Sequence, residues 1–307
     1  MSSKTNELFI ECKWGKIACI SCGDPKKSPV LLIHGYMDTA ATFIPILKHL
    51  PDTYYYVALD LPGHGKSDPF PVGPIITQAH QVYAVHQVIN HLKWDTFMCM
   101  THSVGFIVGV LYNYLYPFKM SKMVNLDPGP PISTYCAPYY IPHLWYDHSY
   151  GDYYKNYSRW EKDRTKEYTY EQVINLLVKN RKVNEEQSAI LLSRALIPVG
   201  DNKYRLSWEP TMKKVTAIPF TEEMFISIVT TNAPPMLNIA ASEDHTVDYF
   251  KKKGVRLMNI FKESMKNFTI INVDGPHDIH VIKPEVFVDK IIDFLNSDVK
   301  NVPLAKL

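Results

Sequence analysis

Between Phe97 and Phe118 the chain carries no Asp, Glu, Lys or Arg, a run long enough to cross a bilayer as a helix. An uncharged stretch of this length must be buried, either in lipid or inside a folded protein, and its own residues decide which. Thr101, His102, Ser103, Gly105 and Asn113 interrupt it. Before the interruption, Thr96–Met100 is a short apolar run of strand length; after it, Val104 through Leu115 is long enough for a helix. The stretch is therefore expected to be a strand, a sharp turn and a helix at the centre of a soluble domain, and not a membrane span.

The rest of the chain agrees with such a core. Val30–Ile33, Tyr54–Leu59, Met123–Leu126, Met236–Ala240 and Phe268–Val273 are further short apolar runs bounded by turn residues. Helical stretches separate them. In Ile75–Leu92 the residues Val82, Val85, Ile89 and Leu92 fall on one face, and Pro284 can open a last helix. Strands alternating with helices predict an α/β fold, with a mostly parallel central sheet covered by helices on both faces. Residues 9–24 suit an antiparallel edge hairpin. With 307 residues, 46% of them hydrophobic, the chain can bury a full core without disulfides or metal. Its five cysteines form no disulfide framework, and 33 basic against 31 acidic residues argue against a nucleic-acid partner. Met1–Phe9 is mostly polar, which predicts no secretory signal. The alternation lapses between residues 132 and 215, a segment rich in Tyr and Trp that holds helices over Tyr170–Lys182 and Asn184–Ala195. The expected organisation is a core from 1–131 and 216–307, with a helical cap inserted at 132–215.

Ser103 occupies the strand-to-helix turn. A serine there, flanked by small residues two positions either side, forms a nucleophile elbow, usually written Gly-x-Ser-x-Gly. Gly105 fits; Thr101 stands where the first glycine is usual. Upstream, the strand Val30–Ile33 runs into His34-Gly35, and the backbone N–H groups of Tyr36 and Val104 are placed to hold a developing oxyanion. His34-Gly35-Tyr36-Met37-Asp38, Tyr55–Asp60, Gly63-His64-Gly65, Leu92-Lys93-Trp94, His102–Gly105 and the late Gly275-Pro276-His277-Asp278-Ile279-His280 together carry a family likeness. On these segments the chain resembles the α/β-hydrolase superfamily, and within it the serine hydrolase-like proteins of animals.

The resemblance implies a nucleophile–acid–histidine triad. It gives the base to His277 and leaves His280 a structural partner. Pro276 beside the base is unusual and stiffens that loop. For the acid it offers Asp244, just past the strand Met236–Ala240 and similar to the segment in plant hydrolase-type hormone receptors. The alternative is Asp127, after Met123–Leu126, a location used by some haloalkane dehalogenases; in Leu126-Asp127-Pro128 it also suits a turn cap. Asp244 is the expected choice. Serine at the elbow attacks an acyl carbonyl, whereas epoxide and halide chemistry in this superfamily uses an aspartate nucleophile. A small or medium acyl ester, thioester or lactone, held in an aromatic, apolar pocket, is the expected substrate. A ligand-binding protein on the same scaffold, with little turnover, is the alternative, motivated by Thr101 and Pro276; hydroxynitrile lyase chemistry is a distant third.

No cofactor is expected. Cys19-Ile20-Ser21-Cys22 has no second pair nearby, the histidines show no metalloprotease spacing, and Gly63-His64-Gly65 lacks the lysine of a phosphate loop. Lys251-Lys252-Lys253 is a solvated face. The terminal Ala305-Lys306-Leu307 is a conservative variant of Ser-Lys-Leu, which predicts a peroxisomal import receptor as partner and a peroxisomal or cytoplasmic location.

Overall fold

Short β-branched and aromatic runs, each stopped by turn residues, become strands. The computed structural model describes residues 5–71, 73–135, 146–214, 220–243 and 248–299. In chain order it contains β1 (Thr5–Cys12), β2 (Gly15–Cys22), β3 (Ser28–Ile33), α1 (Ile44–Leu47), β4 (Tyr54–Leu59), α2 (Gln78–Leu92), β5 (Phe97–His102), α3 (Gly105–Leu115) and β6 (Met120–Leu126). There follow α4 (Gly129–Tyr135), α5 (Asp152–Lys155), α6 (Tyr157–Arg164), α7 (Tyr170–Arg181), α8 (Glu185–Leu192), β7 (Leu196–Gly200) and β8 (Lys203–Leu206). The chain closes with α9 (Glu222–Thr230), β9 (Met236–Glu243), α10 (Asp248–Ser264), β10 (Phe268–Pro276), α11 (Ile279–Ile282) and α12 (Val288–Asn296). The uncharged stretch is thus β5, a turn and α3, and no helix among the described residues is long and apolar enough to cross a membrane.

Eight strands form one sheet in the order β1-β2-β4-β3-β5-β6-β9-β10. Only β2 runs against its neighbours; β4, β3, β5, β6, β9 and β10 pair in parallel, and β1–β2 is the expected edge hairpin. Parallel pairing needs a crossover between strands, and successive residues of each strand face opposite sides. Leu31 and Ile33 therefore pack with Val85 of α2, Phe106 of α3 and Phe261 of α10, while Val30 and Leu32 pack with Ile46 of α1 and Ile291 of α12. Both faces are covered, and the loops that matter for chemistry leave the carboxyl ends of β3, β5, β6 and β10.

Between β6 and β9 the expected all-helical segment proves mixed. Leu196–Gly200 and Lys203–Leu206 form an antiparallel hairpin turning at Asp201-Asn202, and the helix expected over Asn184–Ala195 stops at Leu192. Each hairpin strand is short and contains no fully buried residue, so no buried alternation marks it in sequence. Residues 136–145 and 215–219, near the margins of the expected insertion, lie outside the described residues. Two of its aromatic residues tie the segment to the core. Tyr153 and Trp160 bury against Ile75 of the core, with Trp160 Nε1 donating to the Tyr153 carbonyl at 3.2 Å. Arg194, beyond α8, fastens the segment to the sheet: its Nε and Nη2 donate to Asp60 Oδ2 at 2.9 and 2.7 Å, and Nη1 donates to Glu7 Oε1 at 2.6 Å.

Inside the sheet runs a line of polar side chains, one hydroxyl and two amides. Thr101 Oγ1 donates to Asn125 Oδ1 at 2.8 Å, Asn125 Nδ2 to Asn238 Oδ1 at 2.9 Å, and Asn238 Nδ2 to the Thr269 carbonyl at 3.1 Å. Thr101, Asn125 and Asn238 are fully buried on adjacent strands, paired Thr101↔Asn125 and Asn125↔Asn238. A buried polar group is tolerated only when bonded. Asn125→Leu strips partners from both neighbours, and is expected to lower unfolding free energy in urea by about 2–4 kcal/mol. A loss under about 1 kcal/mol would mean the line contributes no more than an ordinary hydrogen bond.

Candidate active site

The turn from β5 into α3 holds Ser103 in the left-handed region, at φ 51°, a strained state for any residue but glycine. What enforces it is backbone crowding. A Cβ on Gly105 would lie 2.3 Å from the Ile33 carbonyl oxygen, and one on Gly35 would lie 3.0 Å from both His102 Nδ1 and Ser103 Cβ. Glycine at both positions lets the end of β3 and the start of α3 come together. Ser103 N–H donates to the Leu126 carbonyl at 3.0 Å, and Phe106 N–H donates back to the Ser103 carbonyl at 2.9 Å. Thr101 fits because the space is made on the helix instead of the strand: a Cβ on Gly109 of α3 would come within 3.2 Å of Thr101 Cγ2 and 2.5 Å of Met123 Cε.

His277 follows β10 through Gly275, whose φ of +151° and packing against Ile279 demand glycine. Its Nδ1 donates to Asp127 Oδ2 at 2.5 Å. Asp127 sits just past β6 at φ 45°; its N–H donates to the Ile239 carbonyl at 2.7 Å, and its Oδ1 accepts from Ala241 N–H at 3.1 Å. The carboxylate is thus aimed by the ends of β6 and β9, and it fixes the imidazole tautomer so that Nε2 is the proton acceptor. Asp244, the expected acid, falls in 244–247, outside the described residues. Among the described residues, Asp127 is the carboxylate hydrogen-bonded to His277. Burial pulls the His277 pKa down, but the hydrogen bond and charge of Asp127, helped by Asp278, outweigh it, and the group ends above its ordinary value.

Ser103 and His277 border one cavity of about 760 Å³, together with Tyr36. Its apolar wall comes mostly from the segment between β6 and β9: Val173, Leu176, Leu177, Leu191, Leu192 and Trp208. Among the described residues of that segment the lining is chiefly aliphatic, with Trp208 its aromatic member; Tyr139, Tyr140 and Trp145 lie outside the described residues. Tyr36 and Val104, the expected oxyanion donors, share a smaller void of about 90 Å³, and Val104 caps the N-terminus of α3. Their N–H groups lie on the two backbone stretches that Gly35 and Gly105 bring together.

The sequence reading overlooked an ion cluster in the cavity wall. Arg181, the last residue of α7, donates from Nε to Asp278 Oδ2 at 2.9 Å and from Nη2 to both Asp278 Oδ1 at 2.5 Å and Asp38 Oδ2 at 2.8 Å. Burial raises the Asp38 carboxyl, but the Arg181 charge and hydrogen bond win and hold it at about 2. An arginine in a last helical turn looks like a solvated end; only the adjacency of Asp278 to His277 hinted at more. His102, Asp278 and His280 have ligand-type atoms within 4.8 Å of one another, the one such grouping among the described residues. Burial keeps both imidazoles well below their usual pKa, hence neutral. Both Asp278 oxygens already accept from Arg181, so a metal there would have to displace a guanidinium. His280 Nε2 lies 2.8 Å from Thr42 Oγ1, a structural position. Gly63-His64-Gly65 wraps a carboxylate, not a phosphate: a Cβ on Gly65 would meet Asp60 Cγ at 2.3 Å. The terminal Ala305-Lys306-Leu307 lies outside the described residues.

A model of the alpha/beta hydrolase fold family matches residues 28–284. The chain is similar to a serine hydrolase-like protein of Danio rerio, with 28% identity over 305 residues, 96% of this chain and 90% of that one. It is also similar to serine hydrolase-like protein 2 of Homo sapiens, with 27% identity over 303 residues, 94% of each chain. Among solved structures, the thioesterase domain from the curacin biosynthetic pathway superposes with a TM-score of 0.75 at 16% identity, covering 94% of this chain and 99% of that one; this likeness shows the fold.

The geometry makes a direct statement about His277. In an NMR titration of the intact protein its imidazole is expected to titrate above 6.5, and Asp127→Asn to bring that midpoint down. A midpoint at or below 6.5 in the unaltered chain would contradict the pairing.

Proposed function

The chain belongs to the α/β-hydrolase fold family, and from that premise we propose that it is a serine hydrolase that cleaves small or medium acyl esters or thioesters through an acyl-enzyme. One observation carries the reading: Ser103, in its strained turn, and His277, hydrogen-bonded to Asp127, border the same apolar cavity. In this reading Ser103 Oγ attacks the acyl carbonyl while His277 Nε2 takes its proton. The Tyr36 and Val104 N–H groups receive the oxyanion. His277 then protonates the leaving oxygen or sulfur, and the acyl group rests on Ser103. Water enters, gives its proton to His277, and attacks the acyl carbon; collapse of the second oxyanion returns the proton to Ser103 and releases the acid. Asp127 is the acid of the triad, holding the imidazole in one tautomer and stabilising its charged form.

The names of the animal relatives and the thioesterase likeness support acyl transfer to water as the chemistry. The aliphatic side chains that the described residues give the cavity wall support an unbranched or lightly branched acyl chain. The two sequence departures that favoured a binding protein without turnover carry little weight, since Gly109 accommodates Thr101 and Pro276 takes a place at the end of β10.

With p-nitrophenyl esters, kcat/KM should rise roughly fourfold per added methylene while the chain still fills the cavity, the factor expected for burying one CH₂. Ser103→Ala should abolish both this turnover and labelling by a fluorophosphonate probe. Persistent labelling of that variant would place the nucleophile elsewhere.

A further inference from the structure

Three stretches of chain must stay in register at the cavity: the loop after β3 that carries Tyr36, the elbow that carries Ser103, and the loop after β10 that carries His277. Each has a close chain neighbour in one ion cluster. Asp38 lies two residues beyond Tyr36, His102 immediately precedes Ser103, and Asp278 immediately follows His277. Arg181 joins the outer two directly, its Nη2 shared between Asp38 Oδ2 and Asp278 Oδ1 while Nε holds Asp278 Oδ2. His102 enters through its Nε2, which lies 4.0 Å from Asp278 Oδ1 and 3.4 Å from the His277 carbonyl. The cluster is well shielded: Asp38 is 5% exposed and Asp278 6%, with the Arg181 side chain at 19%. A buried two-pronged guanidinium sets distances that a single ammonium cannot, because its donors diverge from one rigid plane.

We propose that Arg181 is a positioning residue, which fixes the spacing between the oxyanion loop and the base loop and makes that spacing depend on α7 being docked over the cavity. The proposal rests on the serine-hydrolase reading above. The same α7 supplies Val173, Leu176 and Leu177 to the acyl wall, so one helix both shapes the acyl site and aligns the groups that act on the carbonyl. Arg181 does not serve as the receptor for an anionic substrate, since two carboxylates already engage it.

Charge gives a readout separate from stability. Among the described residues, the groups around His277 are Asp127 past β6, Asp278 in its own loop, His102 on β5, His280 on α11, Glu243 at the end of β9 and Arg181 on α7. Asp127 and Asp278 favour the charged imidazole, and Arg181 opposes it. With Arg181 gone, Asp38 and Asp278 lose their counter-ion, the imidazole keeps its proton to higher pH, and the neutral base appears later.

The test compares Arg181→Met, Arg181→Lys and Arg194→Met in the full chain. Measurements are p-nitrophenyl butyrate turnover, the pH dependence of fluorophosphonate labelling, the His277 NMR midpoint and Tm. Arg181→Met should lower kcat by roughly 10²-fold, the scale of a misplacement near 1 Å, with KM changed less than about threefold and the His277 midpoint raised by about half a unit or more. Arg181→Lys should restore the midpoint but leave kcat roughly tenfold or more below the unaltered chain, because the charge returns without the fork. Arg194→Met, which breaks the other arginine anchor, should lower Tm without moving the midpoint. An unchanged kcat and midpoint in Arg181→Met would overturn the proposal, as would the same two changes in Arg194→Met. Loss confined to p-nitrophenyl hemisuccinate, with the butyrate ester unaffected, would overturn it in favour of substrate binding. If the unaltered protein is never labelled, the nucleophile assignment fails on its own, and the NMR midpoints of the same variants still decide for or against Arg181.

Discussion

The cavity depends on how nearly two stretches of backbone touch. Gly105 leaves room for the Ile33 carbonyl where a side-chain carbon would sit 2.3 Å away, and that approach brings the head of α3 against the end of β3. With it go the left-handed turn at Ser103, the nearness of the stretches that carry Tyr36 and Val104, and the place of the serine on the cavity wall. Widening this contact by the thickness of one methyl group would part the two stretches and relax the turn. The strained turn persists because the surrounding sheet over-determines it, with Ser103 N–H tied to β6 and the Ser103 carbonyl tied into α3.

Electrostatics then separates one imidazole from its neighbours. His34, His102 and His280 are buried and pushed down in pKa, so they act as neutral bonding and packing groups. His277 has burial working against it as well, yet the adjoining carboxylate of Asp127 reverses the outcome. The difference lies chiefly in that carboxylate, whose hydrogen bond at 2.5 Å and charge both favour the imidazolium, with Asp278 adding to it. Several histidines of equal appearance in sequence thus take opposite roles according to what stands at Nδ1.

Much of the sheet was legible from sequence because buried parallel strands are short, apolar and sharply ended. Ser103, Gly105 and His277 were legible for a related reason: a strained turn and a glycine-led loop leave small residues at fixed spacings. The carboxylate partner of His277 was harder to read. Asp127 and Asp244 both follow a strand, and which carboxylate meets the imidazole depends on the three-dimensional path of the Asp127 backbone at φ 45° and on the Ala241 amide that orients it. Leu126-Asp127-Pro128 looks equally like a turn cap. The hairpin of β7 and β8 escaped because its strands bury little. Arg181 escaped because its partners lie far off in sequence, at positions 38 and 278, and no local pattern records a contact of that span.

The polar line through Thr101, Asn125 and Asn238 bears on strand register as well as on stability. Parallel strands drawn from such distant positions pair only after long loops close, which is the slow part of folding. A slip of one residue would turn every side chain of the strand to the opposite face. Apolar strands of similar volume would resist such a slip weakly, since valine beside methionine is much like methionine beside valine. The amides remove that tolerance: of the compact alignments available to β5, β6 and β9, the native one leaves no buried amide unbonded. The buried polar line therefore favours the native register of β5, β6 and β9 over a slipped one, which would leave those groups without partners.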